Sequence, residues 1–242
     1  MNPIWAGAIA AAAGIAGGSM LRGELVRLSV PSGEPEQQAC GNCAARLPDR
    51  PAFRCPHCGA WAGAPIGFEA VMAAVVGLLI ARFGTQPAVA AFGYLGIVGV
   101  ALTQIDIGVQ RLPDRLTLPA YPALLILLAL AAMIGQDWSA FARAVLGGLV
   151  AVAGYLLLSV ASRGQLGGGD IKLAGLIGLV LGWLSWHTLA AGVVASFLLA
   201  AVASAVLLAT RRISRTSKIT FGPYLLGGAF IAMLASTATA SR

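Results

Sequence analysis

Charge is what this sequence most lacks. Of its 242 residues only 10% are Asp, Glu, Lys or Arg, while 58% are hydrophobic; soluble domains carry roughly a quarter charged residues. Sixteen basic and nine acidic side chains cannot coat a water-soluble body of this length. The shortage excludes a disordered chain and an ordinary cytosolic enzyme. The surplus of +7 is accordingly a topology signal and no nucleic-acid footprint. Other features are missing too. No Lys or Arg precedes the first apolar run, Ile4 to Gly18, so the basic start of a secretory signal peptide is lacking and the run reads as a retained helix. No internal repeat suggests a transporter of two inverted halves, and no glycine loop of nucleotide-binding spacing occurs.

What is present is a series of apolar runs near the length that crosses a bilayer core of about 30 Å. They fall at about residues 3–20, 64–82, 86–105, 116–135, 139–161, 170–186, 188–210 and 219–237. The expected fold is therefore all-α, a polytopic membrane bundle of about eight transmembrane helices in a lipid bilayer. Arg22, Arg27, Arg46, Arg50, Arg54, Arg111, Arg115, Arg163, Lys172, Arg211, Arg212, Arg215 and Lys218 all fall at odd-numbered loops. Only Arg82, Arg143 and Arg242 fall on the other side. The odd loops are thus expected in the cytoplasm and both chain ends outside. The glycines, 31 in all, read mainly as packing surfaces, including Gly93 to Gly99 and Gly147-Gly148.

All four cysteines sit in the first long loop, as Cys40-Gly-Asn-Cys43 and Cys55-Pro-His-Cys58 with eleven residues between the pairs. Two CxxC pairs at this spacing complete the closed tetrathiolate shell of structural zinc. Two disulfides are the alternative, and the reducing cytoplasm disfavours them. His57 reads as a bystander. A closed shell leaves no position for substrate, so the metal is expected to hold a loop too small and polar to build its own core. Three segments follow: a first transmembrane helix at 1–20, a cytoplasmic zinc-ribbon-like loop domain at 21–65, and a transmembrane core at 66–242.

Nine carboxylates can be sorted singly. Glu24, Glu34, Glu36 and Asp49 solvate the cysteine loop, Asp137 lies in a short external loop, and Glu69 can snorkel. Asp114 follows Pro113 and is expected to cap the fourth span. Asp106 closes an apolar run at a helix C-terminus, where the macrodipole disfavours a carboxylate, so a functional role accounts for it better than a structural one. Asp170 ends the turn Gly167-Gly168-Gly169-Asp170 on the same side. The glycines remove every side chain that could block an extended substrate backbone, although a flexible turn with Asp170 as helix cap fits the turn alone. Together the two aspartates are the minimum set for activating water against a peptide bond, one ionised and one protonated. Asp106 and Asp170 are the expected catalytic pair. Asp170, at a helix N-terminus near Lys172, is the more readily ionised, and Gly167, Gly168, Gly169 and Lys172 are the expected substrate-binding residues.

These motifs resemble the type IV prepilin peptidases, membrane aspartyl proteases of the GxGD class. Gly167 to Lys172 is similar to the family's GxGDxK segment, and Asp106 with Pro113-Asp114 and Leu116-Thr-Leu-Pro119 to its first-aspartate segment. Phe221-Gly-Pro-Tyr224, Gly18-Ser19 through Arg27-Leu28, and the CxxC pairs are similar to its other landmarks. The resemblance implies cleavage of the basic leader from type IV prepilins and type II secretion pseudopilins at the cytoplasmic face of the bacterial inner membrane. It also implies, for many members, methylation of the new N-terminus with S-adenosylmethionine. Here the sequence departs from the pattern: Arg22 stands where the family usually has Asn, and the CxxC pairs are closer together than in a typical bifunctional member. Two other classes compete with the protease. One is a non-catalytic scaffold whose zinc loop binds a cytoplasmic partner, and the other is a transporter, for which no midplane charge is seen.

Overall fold

The apolar runs fold into eight helices among the residues described by the computed structural model, which are 3–30, 37, 39–40, 42–46, 54–60, 67–84, 86–163, 166–211 and 220–236. Glu34, Glu36, Asp49, Arg50, Arg212, Arg215, Lys218 and Arg242 lie outside them. In chain order the helices are α1 (Pro3–Leu28), α2 (Phe68–Phe83), α3 (Val89–Val109), α4 (Asp114–Gly135), α5 (Trp138–Ala161), α6 (Gly168–Leu184), α7 (Trp186–Ala209) and α8 (Gly222–Ala235). The class is all-α. Four helices, α3, α4, α5 and α7, are both long and apolar enough to cross a membrane, and α8 is apolar but shorter, at 14 residues. The 16 residues of α2 and 17 of α6 rise about 24–26 Å, short of the usual hydrocarbon thickness. Leu149, Leu157, Val160, Val194, Leu198 and Val202 stand exposed along α5 and α7, a surface suited to lipid. The protein is a multi-pass membrane protein.

One boundary moves. The first apolar run is expected to end near residue 20, yet α1 continues to Leu28. Charge ends a membrane span but not a helix: Leu21, Glu24, Leu25, Arg27 and Leu28 are good helix formers, and the next proline is Pro31.

The chain forms two compact units, Met1–Thr85 with Phe92–Pro113, and Gln86–Ala91 with Asp114–Arg242. In the first, α2 buries Phe68, Met72, Val76, Leu79 and Phe83, one stripe at helical spacing. Glycines bring its neighbours close. A Cβ on Gly18 of α1 would stand 2.7 Å from Glu69 Cγ, and one on Gly96 of α3 would stand 2.9 Å from Val75 Cγ1. Phe83 and Phe92 close the far end edge to face, with centroids 4.8 Å apart.

In the second unit α6 is buried without interruption from Leu173 to Gly182, as an apolar helix surrounded by others must be. Against it α5 lays Ala144, Gly147, Gly148 and Ala151, all buried. The seam is backbone on backbone: a Cβ on Gly147 would lie 2.7 Å from Gly178 O, and one on Gly182 2.9 Å from Arg143 O. Arg143 then reaches over the end of α6, where Nε donates to Gly182 O at 2.9 Å and Nη2 to Trp183 O at 2.6 Å. Those carbonyls have no partner within a helix, so the guanidinium caps the negative end of α6. Asp137 performs the opposite service for α5. Its Oδ1 accepts the Ala140 N–H at 2.9 Å and the Ser139 hydroxyl at 2.7 Å, which hold its carboxyl below the usual range. Between α7 and α8, Ser196 Oγ donates to Gly192 O at 2.7 Å and Leu225 O at 3.1 Å in a small-residue contact completed by Gly228.

Candidate active site and metal centre

The glycine turn opens α6. Gly167 is the N-cap, in extended conformation, and Asp170 is the third helical residue, its N–H donating to Gly167 O at 3.0 Å. The carboxylate folds back over the turn, since a Cβ placed on Gly167 would lie 3.3 Å from Asp170 Oδ2. Asp170 is thus no N-cap. It is a half-buried carboxylate over the positive end of a buried helix, where negative charge is stabilised. Gly167 and Gly168 are exposed, and a Cβ on Gly168 would meet nothing within 4 Å. Backbone can approach there.

Three contacts brace this turn. Ser159 Oγ at the end of α5 donates to Leu166 O at 3.1 Å, and the Tyr121 hydroxyl of α4 donates to Lys172 O at 2.6 Å. Lys172 Nζ donates to Asp114 Oδ1, also at 2.6 Å. Asp114, expected as an N-cap, is instead the first residue of α4, and its carboxylate is turned to an ammonium 58 residues further on. Both partners are well exposed, so the pair contributes of order 0–1 kcal/mol and mainly sets direction. Deeper in the same unit lies Tyr155 of α5, which no sequence signal marks. It is 2% exposed, and the Asp170 carboxylate is near enough for its charge to act on the hydroxyl.

Asp106 belongs to the first unit. It lies in the last turn of α3 and is 5% exposed, beside the fully buried Ile105. Gln110, at φ +51°, ends the helix by donating its N–H to Asp106 O at 2.8 Å.

The cysteines form a second centre, built from one turn used twice. Cys40 N–H donates to Ala45 O at 2.8 Å and Ala44 N–H to Cys40 O at 2.9 Å; Cys55 N–H donates to Ala60 O and Gly59 N–H to Cys55 O, both at 2.9 Å. The residue after each second cysteine turns left-handed, Ala44 at φ +57° and Gly59 at φ +67°. An antiparallel bridge, Ala39 to Arg46, closes the first copy. The four Sγ atoms lie within 4.8 Å of one another. Cys43 and Cys55 approach to 3.6 Å and Cys40 and Cys58 to 3.8 Å, too far for disulfides, whose sulfurs bond at about 2.05 Å. A tetrahedral ion with thiolates at about 2.3 Å sets its sulfurs about 3.8 Å apart, so the four fit a metal and are compatible with zinc. His57 is exposed and stands outside the group. The Ala60 amide draws the Cys58 thiol down to about 6, and the Asn42 and Cys43 amides lower Cys40. Cys43 also receives an amide, from Ala45, but the neighbouring thiols outweigh it and push the group up to about 12. A cation placed between the four sulfurs would favour the thiolate form of each.

Residues 93–209 match the model of the type IV leader peptidase family. Over that stretch the chain belongs to the type IV leader peptidase family. The matched part holds Asp106, Asp114, the glycine turn, Asp170 and Lys172, whereas the four cysteines precede it. Curated relatives bear the name prepilin leader peptidase/N-methyltransferase. That of Aeromonas salmonicida (strain A449) is 31% identical over 202 residues, which cover 75% of this chain and 62% of the relative. That of Burkholderia pseudomallei (strain K96243) is 35% identical over 190 residues, covering 72% and 56%. That of Bacillus subtilis (strain 168) is 35% identical over 160 residues, covering 63% and 58%. The chain thus spans less than two thirds of the length of these members of the leader peptidase family. No solved structure matches it.

Proposed function

We propose that the protein is a membrane-embedded aspartyl endopeptidase that removes the leader peptide of type IV prepilins or pseudopilins at the cytoplasmic face of the bacterial inner membrane. The observation that carries the reading is the Gly167 to Asp170 turn. It presents a carboxylate on the first turn of a buried helix behind glycines with an open outer side, inside the family-matched stretch that also contains Asp106.

The chemistry asks for one ionised and one protonated acid. Asp170, over the positive end of α6, takes a proton from water as the water oxygen bonds to the scissile carbonyl carbon. Asp106, at the negative end of α3, supplies the proton that the departing amine needs when the C–N bond breaks. The apparent pKa values belong to the pair. Gly167, Gly168 and Gly169 admit the extended peptide, and Lys172, held on Asp114, fixes the first turn of the helix that carries Asp170. A prepilin's basic leader followed by an apolar helix suits a cut at the cytoplasmic surface, the side on which the basic loops accumulate. Cys40, Cys43, Cys55 and Cys58 hold structural zinc, which when bound neutralises the four thiolates and fixes their loop.

Cleavage of a prepilin in detergent by the wild type, Asp106→Asn and Asp170→Asn tests the reading. Each substitution is expected to remove cleavage by orders of magnitude. Turnover that survives Asp170→Asn would favour the non-catalytic scaffold with a partner-binding zinc loop. Mass spectrometry of the product N-terminus reports the bond cut, and shows whether methyl transfer from S-adenosylmethionine, the second activity in the relatives' name, accompanies it.

A further inference from the structure

A buried hydroxyl inside apolar protein ordinarily finds a partner, because leaving it without one costs the full desolvation of the group. Tyr155 does not follow this rule. Its hydroxyl is buried and is the one buried side-chain polar atom without a hydrogen-bond partner among the described residues. Its ring is held in place by two others. The ring stacks on Phe197 of α7 at 6.0 Å and 19°, and both rings meet Phe221, at 6.3 Å and 5.3 Å. Phe221 opens the Phe-Gly-Pro motif just before α8, a motif that the acid–base chemistry leaves without a task. Three rings from three elements therefore fix an unpaired donor within electrostatic reach of Asp170.

We propose that the Tyr155 hydroxyl is a substrate-binding group, donating a hydrogen bond to a backbone carbonyl of the peptide that lies along the glycine turn beside Asp170. The inference rests on the protease reading above. The chemistry of the missing partner is narrow: it must accept a hydrogen bond, reach a site walled by aromatic rings, and arrive with the substrate. A peptide carbonyl meets all three requirements. Phe197 and Phe221 then act as positioning residues that aim the hydroxyl.

The test is Tyr155→Phe in the full chain, which removes the oxygen and keeps the stacked ring. Prepilin cleavage in detergent is measured alongside wild type and Asp170→Asn, with thermal unfolding of each protein without substrate. The expected result is a fall in kcat/KM of about tenfold or more, the worth of one buried hydrogen bond. Both limbs of the pH profile should stay in place, and the melting midpoint should be unchanged or higher, because the resting protein loses only an unsatisfied group. Cleavage within about twofold of wild type, with Asp170→Asn inactive, overturns the proposal and leaves the protease reading intact. A drop in the melting midpoint that accounts for the lost activity also overturns it, since the hydroxyl would then be structural. Cleavage by Asp170→Asn overturns the protease reading itself.

Discussion

Gly178→Ala adds one methyl group to the centre of the α5–α6 seam, and the structure says where the methyl must go. Its carbon would stand 2.6 Å from Gly147 O, 2.7 Å from Ala151 Cβ and 2.9 Å from Gly148 Cα. None of these is the far end of a flexible side chain, so no rotamer change makes room. The helices must separate by about 0.8 Å to restore ordinary contact. Overpacking of this kind costs about 1–3 kcal/mol, and for a chain of this size each kcal/mol moves a melting midpoint by about 2–4 °C. The damage reaches the site as well. The seam fixes the helix that carries Asp170, and a shift of order 1 Å in a catalytic group costs up to about a hundredfold in rate. The control is Gly154→Ala on α5, where an added Cβ meets nothing within 4 Å and helix propensity favours alanine by about 0.5–1 kcal/mol. The assay is thermal unfolding in detergent beside prepilin cleavage. If Gly178→Ala matches Gly154→Ala in both, the helices do not touch backbone to backbone, and the account of how α6 is held is wrong.

The glycine turn gives a second contrast, between adjacent residues. Gly167→Ala is expected to slow cleavage and shift its acid limb, because the new Cβ would press on the Asp170 carboxylate at 3.3 Å, whereas Gly168→Ala, with open space around it, should leave the acid limb in place. At the cysteine centre, metal analysis of the purified full chain should find one zinc per chain, and Cys55→Ser, which exchanges the buried thiol of the group, should lose it. Removing the ion with a chelator should expose the described loop residues to proteolysis, and equal protease resistance with and without metal would refute a structural role.

Much of this molecule is legible from its residue order, for identifiable reasons. Membrane helices announce themselves because the bilayer demands long apolar runs, and the eight runs correspond to eight helices. Gly147 and Gly148 read as packing surfaces and lie against α6. The CxxC spacing places four sulfurs within reach of one ion. What escapes is set by partners distant in the chain. Arg143 enters a sequence reading only as a charge on one side of the membrane, yet it caps a helix whose last carbonyls lie about 40 residues away. Asp114 is expected to serve its own helix and serves Lys172 instead, since an ammonium from α6 competes for its carboxylate. Asp137 reads as a loop residue and proves to be a cap, although an Asp just before Trp138 and three residues ahead of Ala140 is a legible N-cap signal. The left-handed Ala44 has no signal, because an Ala-Ala pair does not advertise a turn that Gly59 makes plain in the second copy.

The distribution of these long-range contacts has its own logic. An acid–base site works only if its groups are held to within a fraction of an ångström, and a helix in lipid gains nothing from a hydrophobic drive toward its neighbours. The helix bearing Asp170 is instead gripped by polar contacts at its ends and by backbone contact between them. Tyr121 and Ser159 hold carbonyls of its opening turn, Lys172 anchors to Asp114, and Arg143 takes the carbonyls at its close. Glycines at 175, 178 and 182 let α5 and α4 reach its backbone along the middle. At the close of the helix bracing and satisfaction coincide, since Arg143 takes carbonyls that no helical N–H reaches, while Tyr121 adds a second donor to a carbonyl already inside the helix. Among the described residues of this unit the unpaired Tyr155 hydroxyl stands out, and that contrast is why its missing partner is sought in the substrate and not in the fold.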